Sequence, residues 1–311
     1  MDLTAFAAAG PAFPHLARFG PIDWPRWHAV AGRLAADLGG AVDLDRRIHH
    51  LYLPVLSFCD VQVRRAAHRP LLVGVQAPQG AGKTTLVRHL IAHLPDFGLR
   101  GAGVSIDDFY LTRDAQLRVA AAHPDNPYLE YRGYPGTHDI ELGERTLSAL
   151  GGLGPGARDE VVRVPVYDKS RHGGRGDRAP ESAWRDVSGP LDVVFLEGWM
   201  LGFQPVAETR IADPRLVPPN RALESYARWH RQLGAFVQLR ATDPHFVINW
   251  RMQAEAEAAA AGRPALSREA AEDYVRRFLP AYALYAGMPG PLPRDESLVV
   301  YLDEQRRPVA R

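Results

Sequence analysis

Between residues 71 and 94, a glycine-rich turn stands between an apolar run and an amphipathic segment. The apolar run is LLVGV (71–75), and the amphipathic segment, TLVRHLIAHL (85–94), repeats its apolar residues with helical spacing. The turn, APQGAGKTT (77–85), has the form Gly-x-x-x-x-Gly-Lys-Thr, except that Ala77 stands at the first glycine position. Strand, turn and helix in this order predict a loop whose backbone N–H groups bind phosphates.

The residues of this phosphate loop (77–85) have separate expected roles in binding a nucleotide. Gly80 and Gly82 let the backbone bend so that successive N–H groups face inward. Lys83 is expected to reach the β- and γ-phosphates as a catalytic residue, and Thr84 to place its hydroxyl on Mg²⁺. The predicted nucleotide-binding residues are Gly80, Ala81, Gly82, Lys83, Thr84 and Thr85, with ATP and Mg²⁺ as the expected cofactors.

Apolar runs and amphipathic segments continue to alternate after the phosphate loop. Strands are predicted at 71–75, 103–107, 161–167, 191–198, 235–240 and 298–303, and helices after His138-Asp139 and near 244–262 and 268–286. Such alternation predicts an α/β fold with a mainly parallel sheet between layers of helices. Residues 1–70 have helical spacing, with a kink or break expected at Pro54. They are interpreted as an N-terminal helical extension of a domain spanning 71–311.

Composition argues against several classes of protein. The 311 residues include 37 basic and 36 acidic side chains, and a net charge of +1 argues against nucleic-acid binding. The single cysteine, Cys59, excludes a disulfide framework and a zinc site built on thiolates. No apolar run reaches the roughly 18 residues of a membrane span, and the N-terminus lacks the basic start of a signal peptide. A cytoplasmic protein is therefore expected, and its oligomeric state stays open.

Acidic residues follow two of the predicted strands. Asp107 ends the predicted strand GVSID (103–107) and Asp108 follows it, and Glu197 is the next-to-last residue of VVFLEG (193–198). Ligands of open α/β sheets bind at the carboxyl ends of the strands, where an Asp can accept the proton of a substrate hydroxyl. Neighbouring residues of a strand point to opposite faces, so only one of these two carboxylates should face the site. Asp107 is favoured as the base, and Asp108 is the alternative. Glu197 is expected to hold Mg²⁺ together with Thr84.

Two polar loops offer groups that would bind an anionic acceptor. Only two of the 37 basic residues are lysines, and one of them, Lys169, lies in the segment YDKSRHGGRGDR (167–178), which we call the basic loop. The other polar loop is EYRGYPGTHD (130–139). The candidate acceptor-binding residues are Tyr110, Arg132, His138, Lys169, Arg175 and Arg178. The alternative for the basic loop is a solvated, disordered loop, and the alternative for His138 is a hydrogen-bonding or capping residue. Tyr110 and Tyr167 leave a stacked nucleoside acceptor possible.

A further arginine lies in the predicted helix after residue 244. Phe246, Val247 and Trp250 give that helix an apolar face, and Arg251 lies at its edge. Lid helices of small-molecule kinases bring an arginine over the γ-phosphate, and Arg251 is a candidate for that catalytic role. The alternative is an arginine on a solvated helix face.

Taken together, the motifs resemble the D-glycerate 3-kinase family, which is related to uridine kinase, phosphoribulokinase and pantothenate kinase. The motifs are APQGAGKTT, SIDDFYLT, EYRG-x-x-G-T-HD, YDKS-x-x-x-GRGDRA, LEGWMLGF, DP…WR-x-QAE and RRFLPAY, in order over roughly residues 45–310. The resemblance implies a P-loop kinase that uses MgATP to phosphorylate the 3-hydroxyl of D-glycerate, a small anionic hydroxy acid. It also implies that Asp168, in Pro-x-Tyr-Asp, contacts the acceptor.

Two other functions remain open at this point. One is a kinase of the same fold acting on another small acceptor, such as a pantothenate-like acid or a nucleoside. The other is an ATP-binding regulatory protein without turnover, although such a protein would not need Lys83, Asp107 and Glu197 together.

Overall fold

The computed structural model describes residues 2–39, 43–260, 262 and 268–311. Its strands are β1 (Leu71–Gln76), β2 (Gly101–Ser105), β3 (Val161–Val164), β4 (Tyr167–Asp168), β5 (Asp177–Arg178), β6 (Arg185–Ser188), β7 (Val193–Gly198), β8 (Ala235–Ala241), β9 (Ser297–Leu302) and β10 (Pro308–Val309). Its helices are α1 (Leu3–Ala8), α2 (Phe13–Leu16), α3 (Trp24–Leu38), α4 (Leu44–Arg47), α5 (Leu53–Arg65), α6 (Lys83–His93), α7 (Arg113–Ala122), α8 (Ile140–Gly151), α9 (Val217–His230), α10 (Phe246–Ala260), α11 (Arg268–Arg276) and α12 (Leu279–Tyr285).

A six-stranded sheet forms the centre of the fold, in the order β10-β9-β8-β1-β7-β2. Its neighbouring strands pair in parallel, except that β10 runs antiparallel to β9. Both β1 and β7 are buried along their whole length, as expected of parallel strands covered on both faces. The predicted α/β fold with a mainly parallel sheet is confirmed.

The register of the sheet brings the functional strand ends together. Glu197 in β7 pairs with Val75 of β1 on one side and with Ser105 of β2 on the other. The phosphate loop, Glu197 and the segment after β2 therefore leave the sheet at one edge, where open α/β sheets bind ligands.

The predicted strand at 161–167 does not join the central sheet, so its assignment to that sheet is wrong. Pro165 divides it into β3, which pairs antiparallel with β6, and β4, which pairs antiparallel with β5. Proline donates no N–H to a ladder, and Val161 is 53% exposed, so this run is not a buried strand. The basic loop consequently forms a small two-stranded hairpin, made of β4 and β5, outside the central sheet.

The helices also differ from the prediction in places. The predicted helix 268–286 is divided into α11 and α12, whose second residue is Pro280. Two helices were not predicted: α7, which buries none of its residues, and α9, which opens with Val-Pro-Pro. The sequence of α7 lacks the apolar periodicity from which a helix is usually inferred, whereas α9 repeats Leu223, Tyr226 and Trp229 at helical spacing behind two prolines.

The N-terminal region is helical and packs into the rest of the molecule. Pro54 produces no break, and Ile48–Tyr52 form a π-helical turn just before it, between α4 and α5. Buried side chains such as Leu34 and Phe58 belong to the same hydrophobic cluster as the central sheet. A domain boundary near residue 70 stays a prediction. None of the helices in the described ranges is both long enough and apolar enough to cross a bilayer.

Candidate active site

The turn after β1 has the backbone geometry of a phosphate-binding loop. Gly82 caps α6 in a left-handed conformation (φ 87°), and Gly80 has φ 75°. A Cβ on Gly80 would lie 2.8 Å from the backbone carbonyl carbon of Trp250, so α10 and the loop can approach only at a glycine. Ala77 is fully buried and continues β1 by donating its N–H to the Gly198 carbonyl (3.3 Å). Because Ala77 extends the pairing of β1 with β7 and does not bend the loop, a residue with a side chain fits at the first glycine position.

Thr84 and Glu197 form a pair of oxygen donors beside this loop. The Thr84 hydroxyl donates to Glu197 Oε1 at 2.8 Å. Glu197 Oε2 is buried, accepts no hydrogen bond from the described residues, and lies 3.9 Å from Lys83 Nζ. Mg²⁺ prefers oxygen ligands, and a buried carboxylate oxygen without a hydrogen-bond donor can bind a cation or its water. The pair fits Mg²⁺, and its assignment as a metal site stays a prediction.

Asp107 and Asp108 lie on a 3₁₀ turn, Ile106–Phe109, because β2 ends at Ser105. Their predicted position on the strand is therefore wrong, and strand alternation does not decide which of them faces the site. A capping box decides it instead: Ser105 N donates to Asp108 Oδ2 (3.1 Å) and Asp107 N donates to Ser105 Oγ (3.2 Å). Asp108 is committed to the turn, and burial raises its pKa to about 6.

The carboxylate of Asp107 faces Lys169, which follows β4 directly in the basic loop. Lys169 Nζ donates to Asp107 Oδ2 at 2.5 Å, although the two residues are 62 positions apart in sequence. Burial alone would raise the pKa of Asp107, but the ammonium groups of Lys169 and Lys83 outweigh it and hold this pKa well below its usual range. The carboxylate in turn raises the pKa of Lys169. Both lysines of the chain therefore act on the predicted base.

Arg178 is held by protein groups through Nη2, whereas its buried Nε has no hydrogen-bond partner among the described residues, and its predicted contact with the acceptor stays a prediction. It donates to Asp139 Oδ2 (3.0 Å) and to the carbonyl of Tyr110 (2.9 Å). Asp139 also caps α8 by accepting from Leu142 N (3.0 Å). Arg178 therefore fixes the second strand of the small hairpin to the start of α8.

Arg132 and Arg175 pack on aromatic rings beside the basic loop. Arg132 donates to the carbonyls of Gly174 (2.9 Å) and Arg175, and its guanidinium lies 5.5 Å from the centre of the Tyr167 ring. Arg175 lies 4.0 Å from the centre of the Tyr131 ring. These contacts fix both positive charges beside the two rings, and their predicted contact with the acceptor stays a prediction.

Asp168 closes a tight turn at the start of the basic loop. Its Oδ1 accepts from the Ser170 N–H (2.9 Å) and from the Ser170 hydroxyl (2.6 Å). These hydrogen bonds use Oδ1 alone, and the predicted contact between Asp168 and the acceptor stays a prediction.

His138 is buried next to the predicted base and held by aromatic residues. It stacks on Tyr110 at 4.5 Å, and its Nδ1 lies 2.7 Å from the Tyr226 hydroxyl, which also accepts from Gly136 N (3.2 Å). Burial, only partly opposed by the charge of Asp107, lowers the pKa of His138 to about 4, so the ring is neutral near pH 7. Tyr226 can then donate to Nδ1, which leaves the proton on Nε2. That Nε2 is buried and has no hydrogen-bond partner among the described residues.

Arg251 extends from α10 toward α11. It forms an ion pair with Glu255 one turn later, and its guanidinium lies 5.2 Å from the centre of the Tyr274 ring. Tyr274 is in turn close enough to Lys169 to influence its pKa. Arg251 thus lies on the side of α10 that faces the acceptor residues, and its place over the γ-phosphate stays a prediction.

Comparison with known proteins identifies the family. A scan against protein-family models finds no match. The chain is 40% identical over 282 residues to the chloroplastic D-glycerate 3-kinase of Arabidopsis thaliana, which covers 85% of the chain but only 61% of the plant protein. It is 32% identical over 269 residues to the uncharacterized kinase mug58 of Schizosaccharomyces pombe, covering 82% of the chain and 95% of that protein. The solved structure of D-glycerate 3-kinase from Cryptococcus neoformans matches with a TM-score of 0.74 at 32% identity, over 82% of this chain and 96% of that one.

The chain belongs to the D-glycerate 3-kinase family. Its membership confirms the resemblance inferred from the motifs, and with it the P-loop kinase fold. The structure also places two arginines near the site for which no role was predicted from the sequence.

Arg306 is the first of these residues. From the turn between β9 and β10, it donates to the carbonyls of Gly80 (2.8 Å) and Trp250 (3.2 Å) and to the side chain of Gln253 (2.7 Å). It adopts a left-handed conformation (φ 59°), and burial lowers its pKa. Arg306 therefore joins the phosphate loop to α10. Its only sequence signal was an arginine between two short apolar runs, which is too common to single out.

Arg277 is the second residue without a predicted role. Its guanidinium lies 5.4 Å from the ring centre of Tyr131 and 5.0 Å from that of Tyr274. Arg277 is part of RRFLPAY, one of the family motifs, so a signal was present in the sequence. The motif could not show that this arginine packs on a tyrosine about 146 positions earlier, because that contact depends on how α11 folds back over the site.

Proposed function

We propose that this chain transfers the γ-phosphoryl group of MgATP to the 3-hydroxyl of D-glycerate, giving 3-phosphoglycerate and ADP. The observation that carries the proposal is the pair of Asp107 and Lys169, placed beside Lys83 of the phosphate loop. A carboxylate suits the hydroxyl of an acceptor, and an ammonium group next to it suits a carboxylate on the same molecule. The names of the plant and fungal relatives support glycerate as that molecule.

In the proposed mechanism, the phosphate loop and Lys83 bind the triphosphate of ATP. Thr84 and Glu197 would hold Mg²⁺, whose charge would neutralise part of the charge on the phosphates. Asp107 accepts the proton of the 3-hydroxyl as that oxygen forms its bond to the γ-phosphorus, and the bond to the β-phosphate oxygen breaks to release ADP. Arg251 stabilises the charge on the transferring group.

Lys169 has two successive partners in this scheme. Without an acceptor it neutralises Asp107, and its side chain is 56% exposed, so it has room to move. When glycerate binds, its carboxylate accepts hydrogen bonds from the Lys169 ammonium group, which then neutralises Asp107 less completely. The pKa of Asp107 then rises, because burial is no longer fully opposed, and the carboxylate becomes a better base. His138 Nε2–H supplies a neutral donor to an oxygen of the acceptor.

The packing of the tyrosines supports a small acid over a nucleoside. Tyr110 is stacked on His138 and lies 5.2 Å from Tyr167, edge to face, and both tyrosines are buried. Neither ring offers a free face of the kind that would stack on a nucleobase.

The proposal is tested by following ADP release from MgATP with D-glycerate, L-glycerate, glycerol, pantothenate and uridine as acceptors. We expect D-glycerate to give the highest kcat/KM and phosphorus NMR to identify the product as the 3-phosphate. Absence of stimulation by millimolar D-glycerate overturns the proposal. Stimulation by another acceptor would indicate a different kinase of the same fold, and ATP binding without stimulation by any acceptor would indicate a non-catalytic protein.

A further inference from the structure

A group of metal-binding side chains lies on the far part of α6, away from the phosphate loop. His89 and His93 are one helical turn apart on α6, and Asp37 reaches them from α3. One ligand atom from each of these three residues lies within 4.8 Å of the other two. We propose that Asp37, His89 and His93 bind a single zinc-like divalent cation that links the N-terminal helices to the helix of the phosphate loop.

The surroundings of His93 provide the first argument. The side chain is 5% exposed, its Nδ1 lies 3.1 Å from Asp96 Oδ2, and its Nε2 lies 2.9 Å from Asp37 Oδ2. Carboxylates only accept hydrogen bonds, and a neutral imidazole has one N–H to donate. Both nitrogens can therefore be satisfied only if the ring carries a second proton or if a cation lies between one nitrogen and its carboxylate.

Arg33 indicates which nitrogen is left for the cation. It holds Asp96 through two contacts, Nε to Oδ2 at 3.0 Å and Nη2 to Oδ1 at 2.9 Å. Asp96 is thereby fixed as a carboxylate that accepts from His93 Nδ1–H. Metal-bound histidines commonly donate their other N–H to such a carboxylate, which fixes the tautomer and orients the ring. The lone pair of Nε2 then points toward Asp37 and the proposed ion.

His89 provides the second, independent argument. Its ring packs edge to face on Tyr52 at 5.7 Å, and within the described ranges neither of its nitrogens makes a hydrogen bond. It therefore brings an uncommitted imidazole nitrogen to a place where a carboxylate and a second imidazole already converge. Two histidines at positions i and i+4 of one helix are a common arrangement for binding one metal ion.

The ligand set selects the class of ion. Two imidazoles and one carboxylate favour Zn²⁺ over Mg²⁺ or Ca²⁺, which prefer oxygen. Zinc ligands lie about 2.0–2.2 Å from the metal, so small side-chain rotations would close these three atoms around it, with water as a fourth ligand. Asp37 is 52% exposed, which leaves a path for the ion and this water.

The experiment uses the full chain freed of metal, with Zn²⁺ added in thermal unfolding and Co²⁺ added as a spectroscopic probe. We expect one equivalent of Zn²⁺ to raise Tm and one equivalent of Co²⁺ to give the visible absorption of a tetrahedral complex. Asp96→Asn should weaken binding roughly 10–100-fold, as loss of a group that supports a ligand usually does. Loss of the His89 ligand by His89→Gln should weaken it more, while His68→Gln, which alters an exposed histidine outside the cluster, should leave it unchanged.

Glu197→Gln separates this site from the predicted Mg²⁺ site and should retain the Co²⁺ spectrum. Equal Co²⁺ affinity in His89→Gln and the unmodified chain would overturn the proposal. So would a Tm that does not respond to Zn²⁺. The Tm of each variant without metal shows whether it is folded before the metal affinities are compared. If His89→Gln is unfolded, His89→Asn replaces it.

Discussion

The phosphate loop and the basic loop are both rich in glycine and both carry a lysine, yet they are built in different ways. Lys83 is placed by a strand, a turn and a helix that are contiguous in sequence. Lys169 is placed by a two-stranded hairpin outside the central sheet and reaches Asp107 across 62 residues of sequence. A local motif is sufficient to assign the first lysine, whereas the partner of the second depends on the packing of distant segments. Four substitutions test this contrast, beginning with the one expected to have the largest effect.

Asp107→Asn is expected to lower kcat by roughly 10²–10⁴, the usual contribution of a general base. The affinity for ATP should be preserved, because Asp107 lies on the acceptor side of the site. Steady-state kinetics and ATP titration measure both effects.

The matched control is Asp108→Asn, which removes the capping box and should lower the free energy of unfolding by about 1 kcal/mol with little change in kcat. A large loss of kcat in Asp108→Asn, with none in Asp107→Asn, would assign the base to Asp108.

Glu197→Gln is expected to weaken the affinity for Mg²⁺ during turnover, so that roughly 10–100-fold more Mg²⁺ is needed for half-maximal rate. This is the range seen when a group supporting a metal is removed. The reason is that Thr84 would lose its carboxylate partner and Lys83 its nearby negative charge. The measurement is the Mg²⁺ concentration that gives half-maximal rate at fixed ATP. Glu296→Gln, which alters a glutamate just before β9, serves as control; an equal shift in both variants would remove Glu197 from the metal site.

Lys169→Met is expected to raise the acceptor KM about tenfold, the value of one charge-assisted hydrogen bond.

The same substitution also changes the pH dependence of kcat/KM. In the unmodified chain the pKa of Asp107 is lowered, so the carboxylate stays ionised, and kcat/KM should stay level, until the pH falls well below the usual range for Asp. Without Lys169, burial raises that pKa, and the acid limb of kcat/KM should move to higher pH. An unchanged acid limb would show that Asp107 does not titrate as the base.

Arg306→Asn is expected to raise the KM for ATP about threefold, because the Gly80 carbonyl loses a charge-assisted hydrogen bond that acts on the nucleotide only through the phosphate loop. Asparagine tolerates the left-handed conformation of this position, so the substitution tests the side chain and not the backbone. Arg307→Asn is the control, since Arg307 pairs with Asp303 inside the same turn. Equal kinetics for the two variants would show that the link from this turn to the phosphate loop is dispensable.

The contrast between the two loops also explains which predictions from sequence succeeded. The buried strands and the phosphate loop were correctly predicted, because continuous apolar runs and glycine turns are local signals. The strand at 161–167 was assigned to the wrong sheet, because an apolar run does not reveal whether Pro165 interrupts its ladder. Arg251, the candidate lid arginine, was chosen by motif, but its contact with Tyr274 could not be foreseen.

The sequence by itself determined the fold class, the family and the identities of both lysines as candidate site residues, since these rest on residue types at fixed local spacing. The tertiary structure alone decided which partner each charge has. It turned Asp108 into a capping residue, left Asp107 facing Lys169, used Arg178 to hold Asp139 and joined Arg306 to Gly80. The physical reason is that a charge in a folded protein acts over a few ångströms, and distances between loops far apart in sequence are set by the packing of the elements that carry them.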